Sequence, residues 1–218
     1  MTISTILCDL DGTLVDSRRD IAVAFQHAWR TAIGGIPPSA AAIAQHIGKP
    51  LVEMVSDLGG TLPPSLLSIF LTAYRRRYSG QGARLTQIYP GVVLTLKALS
   101  AFTLGVVTTK ESGQAETVLR RLGLLPFFQQ IQGSTLNLRV KPAPDTIRAV
   151  LATLNCAPPH ALMVGDTPAD ILAGKAAGTL TCAVTYGFGT REALLQCGPD
   201  HVIDSFGELM NLARQWNG

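Results

Sequence analysis

Charged residues are scarce in this sequence. They make up 15% of its 218 residues, whereas hydrophobic residues make up 47%. A chain of this composition can bury a sizeable core, which excludes an intrinsically disordered protein. The net charge of +3 is too small to indicate nucleic acid as the main partner. The one basic run, Arg75–Arg77, is expected to form a solvated helix face.

Cysteines and long apolar segments are also scarce. The four cysteines show no C-x-x-C and no paired spacing typical of metal ligands. Cys8 and Cys182 fall in apolar runs, so we expect reduced, buried thiols. No apolar run approaches the roughly 18 residues that span a bilayer, and no basic segment followed by an apolar one opens the sequence. We therefore expect a soluble, cytoplasmic protein with no membrane partner.

Short apolar runs alternate with helical patterns through most of the chain. Runs typical of buried strands cover 4–11, 102–109, 161–166 and 179–186, with weaker candidates at 128–134 and 201–204. Helical patterns cover 91–102, 112–124, 143–155 and 167–178, the second beginning at Ser112 as a cap and ending at Gly123. This alternation predicts an α/β fold, a three-layer Rossmann-like core with a parallel sheet.

Residues 16–87 break the alternation, because only helical periodicity is found there. The helical segments are separated by strong breakers, such as Gly34-Gly35 and Pro63-Pro64. The pattern predicts a small α-helical domain, 16–87, inserted into a core formed by 1–15 and 88–218.

Polar side chains follow the predicted strands. Parallel sheets bind ligands at the carboxyl ends of their strands. The residues at those ends are Asp9 and Asp11, Thr108 to Lys110, Asp166 with Asp170 four residues on, and Lys141 in a loop.

Three converging carboxylates, Asp9, Asp11 and Asp166, need a cation to share one site. Carboxylate oxygens suit Mg²⁺. A metal beside a hydroxyl and a lysine suits a phosphoryl group, and two acids two residues apart can divide nucleophilic attack from proton transfer. Gly12 permits the tight turn between them. Taken alone, the stretch from Asp9 to Thr13 could be an ordinary strand-end turn or a fragment of a calcium-binding loop. Likewise, "VGDTPAD" alone could be a helix N-cap.

The combined motifs resemble the haloacid dehalogenase (HAD) superfamily of phosphohydrolases over nearly the whole chain, and its phosphoglycolate phosphatase-like branch in particular. The helical insertion resembles the C1-type cap domain of that superfamily. The motifs that carry the resemblance are "DLDGTLVDS", "VVTTK", "KPAPD" and "VGDTPAD", with "HIGKPL" and "YPGV" typical of the branch.

The resemblance implies a role for each matching residue. Asp9 would be the nucleophile and a Mg²⁺ ligand, and Asp11 the general acid and base, with its backbone carbonyl on the metal. Asp166 would complete the set of protein ligands to the metal. Asp170 would either hydrogen-bond to a ligand of the metal or bind the metal through a water molecule. Thr108 and Lys141 would hold the transferring phosphoryl group. The remaining substrate-binding candidates are Gly12, Thr13, Thr109 and Lys110 in the core, and Lys49 and Arg18 in the cap, with His46, Gly48 and Arg19 beside them.

The resemblance therefore implies a Mg²⁺-dependent phosphatase that acts on a small phosphorylated metabolite through an aspartyl-phosphate. Phosphoglycolate is the first candidate substrate, and pyrophosphate, sugar phosphates and nucleotides are alternatives. Asp11 argues against dehalogenase and phosphonoacetaldehyde hydrolase chemistry. A β-phosphoglucomutase-like enzyme usually has an acid where this chain has Gly165. A non-catalytic binding module is the alternative from another class, and the protein is expected to be a monomer or homodimer.

Two residues depart from the family pattern. Cys8 stands where an aromatic or aliphatic residue is usual, and only packing should change. Thr109 stands where the branch often has asparagine, so substrate affinity or specificity should differ.

Overall fold

The chain forms two compact units in a computed structural model that describes residues 2–81, 83–135 and 137–216. The sheet unit comprises Met1–Asp16 and Ile88–Gly218, and the helical unit comprises Ser17–Gln87. Two-residue strands, Val15–Asp16 and Gln87–Ile88, lie where the chain passes between the units.

Six parallel strands form the sheet. They are β1 Thr5–Cys8, β2 Thr103–Glu111, β3 Gln130–Ser134, β4 Ala161–Gly165, β5 Leu180–Val184 and β6 His201–Ile203. Their order is β3-β2-β1-β4-β5-β6, the doubly wound order whose switch point lies beside β1. The predicted α/β fold is confirmed, and both weaker strand candidates are strands.

The central strands are buried along their whole length, which explains why their sequences are continuous apolar runs rather than alternating ones. One core cluster joins Leu7 of β1, Val107 of β2 and Met163 of β4 to Ile147 and Val150, which follow β3. This packing fixes the strand positions that carry the polar residues at the sheet edge.

Four helices form the helical unit, namely α1 Arg18–Ala32, α2 Ala40–Ala44, α3 Leu51–Gly59 and α4 Pro64–Gln81. Phe25 of α1 meets Phe70 of α4 edge to face, with ring centroids 4.9 Å apart. The buried Asp20 carboxylate accepts hydrogen bonds from Leu85 N at 2.9 Å and Thr86 Oγ1 at 2.7 Å. These contacts join the beginning and the end of the unit.

Six helices of the sheet unit cover the sheet, namely α5 Val92–Ala98, α6 Ser112–Arg121, α7 Asp145–Thr153, α8 Pro168–Ala177, α9 Arg191–Gln196 and α10 Leu209–Trp216. The sequence pattern did not predict α9 or α10. Helix α6 begins at Ser112 and ends just before Gly123, as predicted. Its cap residue is Glu111 rather than Ser112, whose hydroxyl accepts a hydrogen bond from Gly133 N at 3.1 Å.

Within the described ranges, no single helix has the length and apolar character needed to cross a membrane. The bent pair formed by Leu51–Gly59 and Pro64–Gly80 reaches that threshold only when the two are taken together.

Candidate active site

The strand register places three chain segments level with one another at the carboxyl edge of the sheet. Cys8 of β1 lies beside Val106 of β2 and Val164 of β4. Asp9 is the next residue after β1, and its backbone N–H donates to Val164 O at 2.9 Å. The first predicted acid therefore lies at the switch point of the sheet.

Lys141 links two of the predicted acids. Its ammonium donates to Asp9 Oδ1 at 2.7 Å, to Asp170 Oδ1 at 2.5 Å and to Val107 O at 2.7 Å. Burial lowers the pKa of Lys141, but Asp170 and Asp9 outweigh that effect, so the net shift is upward. Lys141 is thus a buried, charged lysine with all three of its donors used.

Asp166 is held from two sides. Its Oδ1 accepts from Thr13 Oγ1 at 2.8 Å, and its Oδ2 accepts from Phe188 N at 2.8 Å. A Cβ added at Gly12 or Gly187 would lie closer than 3.0 Å to the Asp166 carboxylate. Gly12 also has a φ of +98°, which glycine adopts readily. The carboxylate therefore occupies a slot that only glycine neighbours leave open.

Asp170 supports Lys141 and lies in the first turn of α8. Its Oδ2 accepts from Thr167 N at 2.9 Å and from Thr167 Oγ1 at 2.7 Å, within a capping box. Because Oδ1 accepts from Lys141, both oxygens of Asp170 are already hydrogen-bonded. This arrangement favours a supporting role for Asp170 over direct substrate contact.

Asp9, Asp166 and Asp170 form one buried acidic cluster, in which a ligand atom from each residue lies within 4.8 Å of the others. Burial first, and then Asp170 and Asp11, raise the pKa of Asp9 to about 7 although Lys141 opposes the shift. Burial, Asp170 and Asp9 raise the pKa of Asp166 well above its ordinary value, against Phe188 and Thr13. One lysine does not balance these carboxylates, so the donor set fits a hard divalent cation.

Asp11 lies in an ion pair with Lys110. The Lys110 ammonium lies 2.9 Å from Asp11 Oδ2, and its side chain is only 5% exposed. The pairing of β2 with β3 shifts in register between Val107 and Glu111, and such irregularities redirect side chains. The Thr108 hydroxyl accepts from Lys110 N at 3.2 Å, and Thr109 beside it is partly buried. Lys110, expected at the substrate, lies here against the second acid.

The remaining predicted residues lie in the helical unit. Lys49 Nζ lies 2.6 Å from Asp57 Oδ2, and His46 Nδ1 lies 3.0 Å from the same oxygen. These two neighbours lower the pKa of Asp57. Arg18 is exposed at the beginning of α1. Lys49 is therefore partly neutralised by a residue that the sequence pattern did not single out.

The loop after β5 contains site residues that were not predicted. The Tyr186 hydroxyl donates to Thr13 O at 2.7 Å, and Phe188 N binds Asp166. A Cβ at Gly189 would collide with the backbone oxygen of Asp166. The sequence signal was the "YGFG" stretch directly after a predicted strand, since paired glycines often mark close approach of the backbone to a site.

Comparison with known proteins shows the family of the chain. The family model described as haloacid dehalogenase-like hydrolase matches residues 6–184. The chain belongs to this family. The pyrophosphatase PpaX of Bacillus pumilus is 35% identical, with 96% of this chain and 95% of that protein covered. The phosphoglycolate phosphatase of Vibrio vulnificus is 34% identical, with 96% of each covered.

Among solved structures, a haloacid dehalogenase-like hydrolase from Streptococcus pneumoniae superposes with a TM-score of 0.86 at 32% identity, with 98% of each chain covered. The resemblance read from the motifs is confirmed, and the chain is a phosphatase of the haloacid dehalogenase-like family. Phosphatases of this family generally use Mg²⁺, and the buried acidic cluster provides suitable ligands.

Proposed function

We propose that this chain hydrolyses a small phosphorylated metabolite in a Mg²⁺-dependent reaction, with Asp9 as nucleophile. The observation that carries the proposal is the buried cluster of Asp9, Asp166 and Asp170 around Lys141. Of the two carboxylate oxygens of Asp9, Oδ1 accepts a hydrogen bond from Lys141. No side chain in the described part of the structure donates to Oδ2, which leaves this oxygen for attack on phosphorus.

The first step forms a bond between Asp9 Oδ2 and phosphorus and breaks the bond from phosphorus to the leaving oxygen. Asp11 donates the proton that the leaving oxygen takes up. In the second step Asp11 takes a proton from water, and the resulting attack on the aspartyl-phosphate regenerates Asp9 and releases orthophosphate. Thr108 donates a hydrogen bond to an oxygen of the phosphoryl group during its transfer. The Lys141 ammonium, whose donors bind Asp9, Asp170 and Val107, supplies positive charge beside the attacking carboxylate.

Asp9 and Asp166 would hold the ion with the Asp11 carbonyl, and Mg²⁺ when bound supplies charge that offsets the carboxylates and the phosphoryl oxygens. The Asp166 carboxylate is held by hydrogen bonds from Thr13 and Phe188 and by close contact with Gly12 and Gly187. It is therefore already fixed in position before an ion binds. Asp170 keeps Lys141 in place.

The substrate is proposed to be phosphoglycolate or pyrophosphate. Relatives that cover nearly the whole chain bear both names, at 34% and 35% identity. A phosphomutase is disfavoured, because a Cβ at Gly165 would collide with the Asp170 side chain. The acid that mutases usually have at that position does not fit this backbone.

The test is orthophosphate release from phosphoglycolate, pyrophosphate, β-glucose 1-phosphate and a nucleoside monophosphate, with Mg²⁺ and with EDTA. The wild type is compared with Asp9→Asn and with Asp145→Asn, a matched change at an acid outside the cluster that pairs with Arg139. We expect Mg²⁺-dependent release that Asp9→Asn lowers by about a thousandfold or more, while Asp145→Asn stays near wild type.

Mass spectrometry of acid-quenched protein should find the phosphoryl group on the peptide that contains Asp9. Equal activity of wild type and Asp9→Asn, or orthophosphate release that EDTA does not change, would contradict the proposed mechanism. The ranking of the two proposed substrates decides between them, and release from neither would overturn the substrate proposal alone.

A further inference from the structure

A groove of about 950 Å³ lies wholly within the helical unit, between α1 and α4. His27 and Thr31 line it from α1, and Arg76 and Arg77 line it from α4. Arg84, beyond the end of α4, lines it as well. Three guanidinium groups therefore surround one concave surface.

Helical periodicity explains why these arginines share a face. Phe70, Tyr74 and Tyr78 of α4 are buried at intervals of four residues and form the packed stripe of the helix. Arg76 and Gly80, also four residues apart, lie on the face of α4 that lines the groove, which we call the groove stripe. A Cβ added at Gly80 would have no atom within 4 Å. The groove stripe is thus independent of the packing that holds α4 in place.

No carboxylate lines the groove among the residues that the structure describes. The helical unit contains three acids. Asp20 is buried against the end of the unit, Asp57 binds Lys49 and His46, and Glu53 is exposed on α3. Within the described part of the chain, no acidic group forms an ion pair with the groove arginines. Their positive charge is therefore left uncompensated.

The charge of the whole unit points the same way. Ser17–Gln87 contains eight basic and three acidic residues, a formal charge of +5, whereas the rest of the chain contains ten basic and twelve acidic residues, a formal charge of −2. The modest net charge of the protein therefore conceals a strongly basic helical unit. Such a unit attracts anions from solution.

We propose that this groove binds a small polyanion that carries at least two phosphate groups. A guanidinium presents a planar fork of donors that matches phosphate oxygens, and Ser68 and Thr72 add hydroxyl groups to the lining. The volume lies within the roughly 300–1,000 Å³ typical of small-molecule sites. Charges gathered around one concavity suit a compact anion better than an extended polymer. The site is separate from the acidic cluster and does not rest on the proposed phosphatase mechanism.

The test uses the full chain with EDTA and inorganic tripolyphosphate as the probe, at about 0.15 M salt so that distant charges are screened. Isothermal titration calorimetry compares wild type with the double variant Arg76→Ala/Arg77→Ala. The double variant should still fold, because alanine is a better helix former and the packed stripe of α4 is unchanged. Removing charge-assisted hydrogen bonds should weaken binding at least about tenfold.

The matched control is Arg120→Ala/Arg121→Ala, which removes two adjacent exposed arginines at the end of α6 in the sheet unit. It should change tripolyphosphate affinity less than about threefold. Backbone amide shifts measured by NMR during the titration should fall in α1 and α4. Equal weakening by both double variants, or shifts confined to the sheet unit, would overturn the proposal. Phosphatase kcat should be the same in both double variants.

Discussion

Asp9→Asn should make the protein more stable in the absence of metal, although it should abolish activity. Asp9 is buried among carboxylates, and its pKa rises to about 7 from an ordinary 3.8. The protonated carboxyl is therefore the form that the fold favours. Ionising it at higher pH costs folding free energy, and asparagine has the same shape without that charge.

The pH range follows from the sign of the shift. Below pH 3.8 the carboxyl is protonated in both states and contributes no penalty. The penalty grows as pH rises from 3.8 to about 7 and is complete above that. At about 1.4 kcal/mol for each pKa unit, the full penalty at pH 8 is of the order of 4 kcal/mol, and relaxation of the site will reduce it.

The assay is urea unfolding in EDTA at pH 4.5 and pH 8. The free energy of unfolding of Asp9→Asn should exceed that of wild type by a few kcal/mol at pH 8, and the difference should fall to roughly a quarter of that value at pH 4.5. The control is Asp57→Asn, because Lys49 and His46 lower the pKa of Asp57, so neutralising it should not stabilise at pH 8. An Asp9→Asn protein less stable than wild type at pH 8 would refute the reasoning.

Two further predictions concern the slot around Asp166 and the buried thiols. Gly187→Ala should weaken Mg²⁺ activation of phosphate release at least about tenfold, because the new Cβ would collide with the Asp166 carboxylate. Gly113→Ala, which adds a Cβ with nothing within 4 Å, should leave it unchanged. Cys8 and Cys182 should resist alkylation at pH 8, because burial raises the pKa of both thiols, that of Cys182 to about 12. The order of modification is followed by mass spectrometry. Modification of these two before the partly exposed Cys156 and Cys197 would contradict the prediction.

The sheet and its polar edge could be predicted because they depend on local patterns. Each central strand is an apolar run that ends at a polar residue, and parallel order brings such ends together. The positions of Asp9 and Asp166 beside the strand ends followed from this rule. The helix α9 has only six residues, which is too short for a clear periodic signal. Helix α10 is amphipathic over its eight residues, and the sequence analysis did not use that pattern.

Partners within the site could not be predicted, because they depend on tertiary geometry. Lys110 follows Thr108 and Thr109 at a strand end, which suggested a role at the substrate. That role stays a prediction, and the spacing did not indicate that the Lys110 ammonium would lie 2.9 Å from Asp11 Oδ2. In the same way, nothing in the sequence spacing indicated that Asp57 would bind Lys49, eight residues before it.

The glycines around the acidic cluster show that the site lowers the stability of the fold. Gly12, Gly165 and Gly187 lie far apart in sequence, yet a Cβ at each would collide with Asp166 or Asp170. Glycine loses more conformational freedom on folding than any other residue, so Gly165 and Gly187, which have no positive φ, lower stability. Burying ionised carboxylates lowers it further. A fold selected for stability alone would fill these positions with apolar side chains. The combination of glycine contacts and crowded acids therefore indicates that the cluster is retained for its chemistry, and removing the charge should stabilise the fold as it abolishes the reaction.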